Sequence, residues 1–293
     1  MNLKDSNSSI YQYDFSPAVL SANDFSKLSS FIYEKCGIKL PDSKKIMIEA
    51  RLRKRLRDLN IDSYSEYCQM LFSSRNDNKE ITQMIDLVTT NKTDFFREPR
   101  QFNFLSDIAL PELEDKYGAG TKRPLRIWSA GCSTGEEPYT ISIVLNEFAK
   151  EKNKFSYNIL ATDISTHVLE IAKLGIYEEE RTQVIPNPLM HKYFLKSKNK
   201  EKKVVRIIPQ LRKTIDFQWL NFMDNNFSIT GKFDAIFCRN VIIYFDKETQ
   251  DRLIAKLIDY LVPGGYLFLG HSESIFKTNL PITQMAASTY MRY

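Results

Sequence analysis

The stretch RIWSAGCSTGEEPYT (126–140) raises the first chemical question. Its glycines, Gly131 and Gly135, stand four apart around Cys132, Ser133 and Thr134, and two adjacent carboxylates, Glu136 and Glu137, follow. A dinucleotide loop would read GxGxxG and offer the N–H groups of a helix start to a pyrophosphate. Paired carboxylates at that place repel phosphate and welcome a cation. A further acid, Asp163, ends the apolar run YNILATD, where a carboxylate can accept hydrogen bonds from both ribose hydroxyls. Together these features favour a nucleoside that carries an ammonium group instead of phosphates, and S-adenosylmethionine fits that description. Each feature has a plainer reading. Acids in a first helical turn stabilise the macrodipole by about 0.3 to 1 kcal/mol each, and an Asp after a strand often caps the next helix, a task Ser165 could share. Their placement in successive strand–helix units favours the ligand.

The elements that would position these residues follow from periodicity. Residues 16–90 show helical patterns only: SANDFSKLSSFIYEKCGI has a cap at Ser21 or Asn23 and a stop at Gly37, and Ile48, Leu52, Leu56 and Leu59 share one face of the next helix. After Pro124 strands alternate with helices. LRIWSA, YNILATDI, TIDFQWL, FDAIFC and GYLFLG read as strands; EPYTISIVLNEFAKE, STHVLEIAKLGIY and KETQDRLIAKLIDYLV read as helices. This predicts an α/β fold, a Rossmann-like doubly wound parallel sheet preceded by a helical domain. Residues 187–213 break the alternation: KYFLKS and KKVVRIIP read as short antiparallel runs around SKNKEKK. The expected divisions are a mobile tail over 1–15, a helical domain over 16–90, a linker over 91–124, and a cofactor domain over 125–293 with a β insertion at 187–213.

Composition excludes several classes. The four cysteines form no CxxC pair, so neither a metal site nor a disulfide framework is expected, and reduced thiols fit a reducing compartment. No apolar stretch approaches the roughly 20 residues of a membrane span, and the N-terminus lacks a secretory apolar core, which points to the cytoplasm without membrane insertion.

Five blocks in order, TTNKTDFFREPRQF (89–102), RIWSAGCSTGEEPYTI (126–141), ATDIS (161–165), FDAIFCRNVIIYFD (233–246) and LVPGGYLFLGHSES (261–274), closely resemble the CheR family of chemotaxis receptor methyltransferases. The resemblance runs from about residue 16 to the C-terminus. It implies a class I, S-adenosylmethionine-dependent protein-glutamate O-methyltransferase, with S-adenosylhomocysteine as coproduct and no metal, acting on glutamates of the cytoplasmic helices of chemoreceptors. Carried over by motif, Asn91, Thr93 and Arg97 line the cofactor's reactive end. Glu136 or Glu137 binds the methionyl moiety and Asp163 the ribose, while Asn221, Phe222, Arg239 and Asn240 complete the pocket beside Gly131. Tyr244 sits near the transferable methyl, so Arg97 and Tyr244 are the expected catalytic pair. A glutamate of pKa about 4.3 is already ionised at neutral pH, so no general base is needed. None of His167, His191 or His271 is required.

Two basic surfaces remain. Seven of the fourteen residues 44–57 are basic, and Arg51, Arg53, Lys54 and Arg57 are expected to fan over the outer face of their helix. The bland reading is a solvated face; the functional one is docking of an acidic receptor bundle, to which the resemblance assigns this domain. Residues 16–90 carry 12 basic and 10 acidic side chains, too even a balance for a nucleic-acid partner. Residues 190–213 carry nine basic side chains and one Glu. Some family members grip a C-terminal receptor tether there, but SKNKEKK replaces a small glycine-containing loop, which counts against a tether. A monomer recruited to membrane receptor clusters is expected. The rivals are an RNA or small-molecule methyltransferase and a cofactor-binding regulatory module without transfer activity.

Overall fold

The computed structural model describes residues 18–73, 78–150, 152, 154–199, 201–275 and 279–293. The expected tail over 1–15 lies outside them.

Four helices form the first unit: α1 (Ala22–Cys36), α2 (Lys45–Asp58), α3 (Tyr64–Phe72) and α4 (Asn78–Val88). Ser21 is the cap of α1, its Oγ accepting from the Asp24 N–H at 3.0 Å, and Gly37 ends the helix at φ +73°. Phe25, Leu28 and Ile32 of α1 share one buried core with Ile48, Leu52 and Leu56 of α2, so the spacing seen in the sequence is the core face.

The linker is more structured than its composition suggests. Helix α5 (Pro99–Phe104) runs through a π-helical turn, Leu105–Ala109, into α6 (Leu110–Tyr117). Pro111 supplies no N–H and its ring would crowd the carbonyl four residues back, which accounts for a widened turn there.

The second unit is a seven-stranded sheet. Its strands are β1 (Leu125–Ala130), β2 (Tyr157–Asp163), β6 (Ile215–Trp219), β7 (Phe233–Cys238), β8 (Leu261–Leu269), β9 (Ile282–Ala286) and β10 (Thr289–Arg292), ordered β6-β2-β1-β7-β8-β10-β9. The first five are parallel; β10 and β9 close the sheet antiparallel. Helices α7 (Glu136–Ala149), α8 (Thr166–Leu174) and α11 (Lys247–Asp259) follow β1, β2 and β7. Trp128, Ile236 and Leu267 face one apolar layer, and Ile127, Ala235 and Phe268 the other, as expected for strands covered on both sides. From β1 the chain winds outward to β2 and β6 and then crosses back to β7 on the other side of β1, so a crevice opens at the carboxyl ends of β1 and β7.

The insertion departs from its expected outline. A three-stranded antiparallel sheet, β3 (Ile176–Glu178), β5 (Val204–Ile207) and β4 (Phe194–Lys196), begins well before residue 187, and the short helices α9 (Asn187–Tyr193) and α10 (Pro209–Arg212) flank its β4–β5 hairpin. The expected helix over STHVLEIAKLGIY stops at Leu174 because Gly175 adopts φ +59°, where an added Cβ would meet the Tyr139 hydroxyl at 3.0 Å. Ile176 and Tyr177 are therefore strand. All four cysteines, Cys36, Cys68, Cys132 and Cys238, are buried and free.

Candidate active site

A cavity of about 220 Å³ opens where the helical unit meets the carboxyl ends of the sheet. Gly131 and Ser133 come to it from the β1–α7 loop, Glu137 from the first turn of α7, and Asp163 from the end of β2. Asn221 and Phe222 follow β6, and Arg239, Asn240 and Tyr244 follow β7. The linker adds Asn91, Thr93 and Arg97, and the helical unit adds Cys36, Ile38, Lys39 and Met47. Every residue the sequence placed at the cofactor is thus brought to one wall or another, except Glu136.

The loop geometry explains the residue types. Gly131 has φ +86°, and a Cβ there would lie 2.5 Å from Val241 Cγ2. Its N–H and that of Cys132 both donate to the Thr162 carbonyl, at 2.8 and 2.9 Å, so the loop folds back over β2. Gly135 caps α7 at φ +96° with Ala172 and Tyr177 packed against its α-carbon. Asp163 is held by two backbone donors, the Ser133 N–H on Oδ2 at 2.8 Å and the Ser165 N–H on Oδ1 at 2.9 Å. The capping of α8 falls to the Ser165 hydroxyl, which accepts from the Val168 N–H. Asp163 is therefore not that helix's cap. Burial pushes its carboxyl above the usual range against those two donors.

The adjacent glutamates separate in role. Glu137 faces the cavity; it accepts from the Ser129 hydroxyl at 2.7 Å and pairs with Arg239 Nη1 at 3.0 Å. Glu136 turns the other way, wholly buried, against Arg181 and the Thr134 hydroxyl. One turn of helix start thus supplies one carboxylate to the cavity wall and one to the scaffold.

Two acids outside the expected cofactor set organise the site, and Glu98, which could have paired with Arg97 in the linker, does not. Glu98, in a left-handed conformation at φ +60°, pairs with Arg239 Nη2 at 3.0 Å and accepts from the His271 N–H at 3.2 Å. Burial pulls its carboxyl up, but Arg239 and the surrounding donors outweigh that and hold it below the ordinary range. Glu273, 3% exposed, accepts the N–H groups of Asn240 at 2.9 Å, Gly270 at 2.6 Å and Ile243 at 3.3 Å, and so shapes the loop that carries Asn240 and Tyr244. Both lie in the blocks FFREPR and GHSES, but an acid's backbone-holding role leaves no periodic trace. His271 is exposed and touches the site only through Glu98; His167 and His191 are exposed on α8 and α9.

The cavity is closed by contacts between the two units. Asn221 Nδ2 donates to the Lys35 carbonyl at 2.7 Å, the Lys39 N–H donates to the Tyr244 carbonyl at 2.9 Å, and Tyr33 donates to Asp246. Arg51 is half-buried and does not fan over an outer face: it donates to the carbonyls of Val88 and Thr89 at 2.6 and 2.9 Å, closing the end of α4. Arg53 is exposed but paired with Glu49 at 2.7 Å, whereas Lys54 and Arg57 are exposed on α2.

The donor set decides what the cavity suits. Asp163 and Glu137 present acceptors, and the charge of Arg239 is shared between Glu98 and Glu137 while its buried Nε has no partner among the described residues. Hydroxyl and ammonium donors fit the two acids, and a carboxylate fits the remaining donor of Arg239. Residues 91–291 match the family described as CheR methyltransferase, SAM binding domain, and residues 23–89 match the CheR methyltransferase all-alpha domain. The chain belongs to the CheR family. Its relatives include the chemotaxis protein methyltransferase of Borreliella burgdorferi, 40% identical over 93% of this chain and 95% of that protein. Chemotaxis protein methyltransferase 2 of Pseudomonas aeruginosa is 38% identical over 91% and 92%. The Escherichia coli K12 chemotaxis protein methyltransferase is 36% identical over 92% and 91%. As a CheR protein it is a methyltransferase of chemotaxis, and its cofactor is S-adenosylmethionine. Among the described residues no helix is long and apolar enough to cross a membrane, and no group of three His, Cys, Asp or Glu could hold a metal.

Proposed function

We propose that this CheR protein transfers a methyl group to glutamate side chains of chemoreceptor cytoplasmic helices, forming γ-methyl esters. The observation that carries the reading is Arg97. Its guanidinium lines the cavity, donates to the Lys92 carbonyl at 3.1 Å, and has no carboxylate partner among the described residues. The neighbouring Glu98 is taken by Arg239. An arginine left in this state beside a cofactor cleft suits an incoming carboxylate, which it can hold with two parallel hydrogen bonds.

S-adenosylmethionine bound there supplies an activated methyl. Asp163 is assigned its ribose, Glu137 and Arg239 its aminoacyl end, with Asn91, Thr93, Asn221, Phe222 and Asn240 completing the enclosure. Arg97 and Tyr244 are assigned the acceptor. An ionised glutamate needs no proton removed, so these two groups work by orienting it and excluding its water. Lys39, Lys44 and Lys92 at the same cavity favour an acidic acceptor over a neutral one.

Incubation with methyl-labelled cofactor and receptor-containing membranes should place label in receptor protein as a base-labile ester. Base-stable label, label in RNA, or tight cofactor binding without transfer would each overturn the assignment. Tyr244→Phe should retain the ring and lower kcat by about three- to tenfold, the worth of one orienting hydrogen bond, in a steady-state assay at saturating cofactor. No change in kcat would remove the hydroxyl from the mechanism.

Lys54 and Arg57 are the members of the expected docking set left exposed and without an ion pair among the described residues. Reversing both to Glu should raise the receptor KM by roughly three- to tenfold at low salt, less at high salt, with cofactor affinity unchanged. A KM insensitive to both charge and salt would leave α2 as a solvated face.

A further inference from the structure

The β insertion reaches the cofactor loop at two points. Tyr177 of β3, 3% exposed, donates its hydroxyl to the Thr134 carbonyl at 2.8 Å. Arg181 lies in the helical turn Glu179–Thr182 that follows β3. Its Nη2 donates to the Thr93 carbonyl at 3.0 Å and stands 2.5 Å from Glu136 Oε1. That second contact is a close ion pair whose angle does not make an aligned hydrogen bond, and Glu136 Oε1 has no other partner among the described residues. The other carboxylate oxygen accepts from the Thr134 hydroxyl at 2.6 Å.

The two groups that Arg181 ties together belong to the two halves of the site. Glu136 immediately precedes Glu137, which faces the cavity, and Thr93 lies in the linker segment that carries Asn91 and Arg97 into it. Ser133, whose hydroxyl donates to the Asn91 carbonyl at 2.8 Å, makes a second tie on the far side of Thr93. We propose that Arg181 is a positioning residue for methyl transfer, setting from the insertion the separation between the cofactor loop and the linker arginine. The insertion is then part of the cofactor site as well as an appendage to it. The assignment of Arg97 to the acceptor rests on the function proposed above; the effect on the cofactor loop does not.

An ordinary surface ion pair would have little influence, because both charges remain solvated. Here one partner is wholly buried while Arg181 remains partly exposed, so loss of the arginine strands a buried carboxylate. The loop must then move to hydrate it or the group must take up a proton. Either response disturbs Glu137 one residue on, and a displacement near 1 Å at a reacting site can cost up to about a hundredfold in rate.

Arg181→Ala should raise the dissociation constant for S-adenosylhomocysteine about tenfold by calorimetry, and lower kcat at saturating cofactor about tenfold or more, with the receptor KM unchanged. Arg181→Lys, which can reach Glu136 or Thr93 but not span both, should fall between. Adding Glu136→Gln to Arg181→Ala removes the stranded charge and should bind the coproduct more tightly than Arg181→Ala alone. A lowered unfolding temperature with wild-type affinity and kcat in Arg181→Ala would reduce the residue to a brace and overturn the proposal. So would a double variant no better than Arg181→Ala. If the wild type fails to esterify receptors, the proposed function falls but the calorimetric comparison still decides whether Arg181 sets the cofactor loop.

Discussion

Arg97→Ala should lower kcat for receptor methylation by about 10²- to 10³-fold, the scale seen when one preorganised donor is removed from a reaction centre. The fold should be unaffected. Arg97 is half-buried, donates to one carbonyl, that of Lys92, and pairs with no acid among the described residues, so its removal strands no buried charge. That separates it from Arg239, which is 6% exposed and pairs with both Glu98 and Glu137; truncating Arg239 would confuse loss of stability with loss of chemistry. Arg97→Lys should recover little, because a single ammonium cannot grip a planar carboxylate at two points. Single-turnover methylation at saturating cofactor, with calorimetry of S-adenosylhomocysteine beside it, separates the steps. A kcat within threefold of wild type would show that the acceptor carboxylate is held elsewhere, and a large loss of coproduct affinity would place Arg97 on the cofactor instead.

How much of this was legible beforehand differs between the two units of the fold. The helical unit was legible because its core is built from local spacing: Ile48, Leu52 and Leu56 announce the buried face of α2 without reference to anything distant. The parallel sheet was legible because strands covered on both sides are continuously apolar, as in LRIWSA and FDAIFC. β3 was not, since IYE follows a helical pattern without a break in hydrophobicity, and only the left-handed Gly175 turns the chain towards its partner β5, some thirty residues on. The helix through the linker was hidden for a different reason. Two prolines, Pro99 and Pro111, argue locally against a helix, and here one starts it and the other stands in the first turn after a π turn.

The site follows the same division. Residues that line the cavity with acceptor side chains, Asp163 and Glu137 among them, sit at strand ends and helix starts that periodicity can locate. Residues that hold the backbone do not. Glu98 acts through a left-handed conformation and an arginine 141 positions away, and Glu273 through three backbone N–H groups that precede it in the chain. The choice between Glu136 and Glu137 likewise depended on Arg181, whose approach is set by the insertion and not by the loop itself. Arg51 went the other way: helical spacing put it outside, and the end of α4 took it in.

Asp163→Ala should weaken cofactor binding by roughly 10²- to 10³-fold. Each carboxylate oxygen already accepts one backbone N–H, from Ser133 or Ser165, which leaves each with acceptor capacity at the cavity that Asp163 lines. Two hydrogen bonds from a ribose to an ionised, buried acceptor are worth about 1.5 to 3 kcal/mol each before water refills the gap, and every 1.4 kcal/mol is a factor of ten. Alanine also frees the Ser133 N–H, so the β1–α7 loop loses its tie to the end of β2 and part of the effect is loop disorder. Asp163→Asn separates the contributions. It keeps the volume but turns an NH₂ group towards either the Ser133 or the Ser165 N–H, setting donor against donor, so it should not behave as a conservative change. An affinity loss of about tenfold is expected for asparagine, with less effect on unfolding temperature than alanine shows. The readout is calorimetry with S-adenosylhomocysteine on both variants. If either binds as wild type does, the ribose is not at Asp163, and the acid would then serve only to fasten the cofactor loop to the sheet.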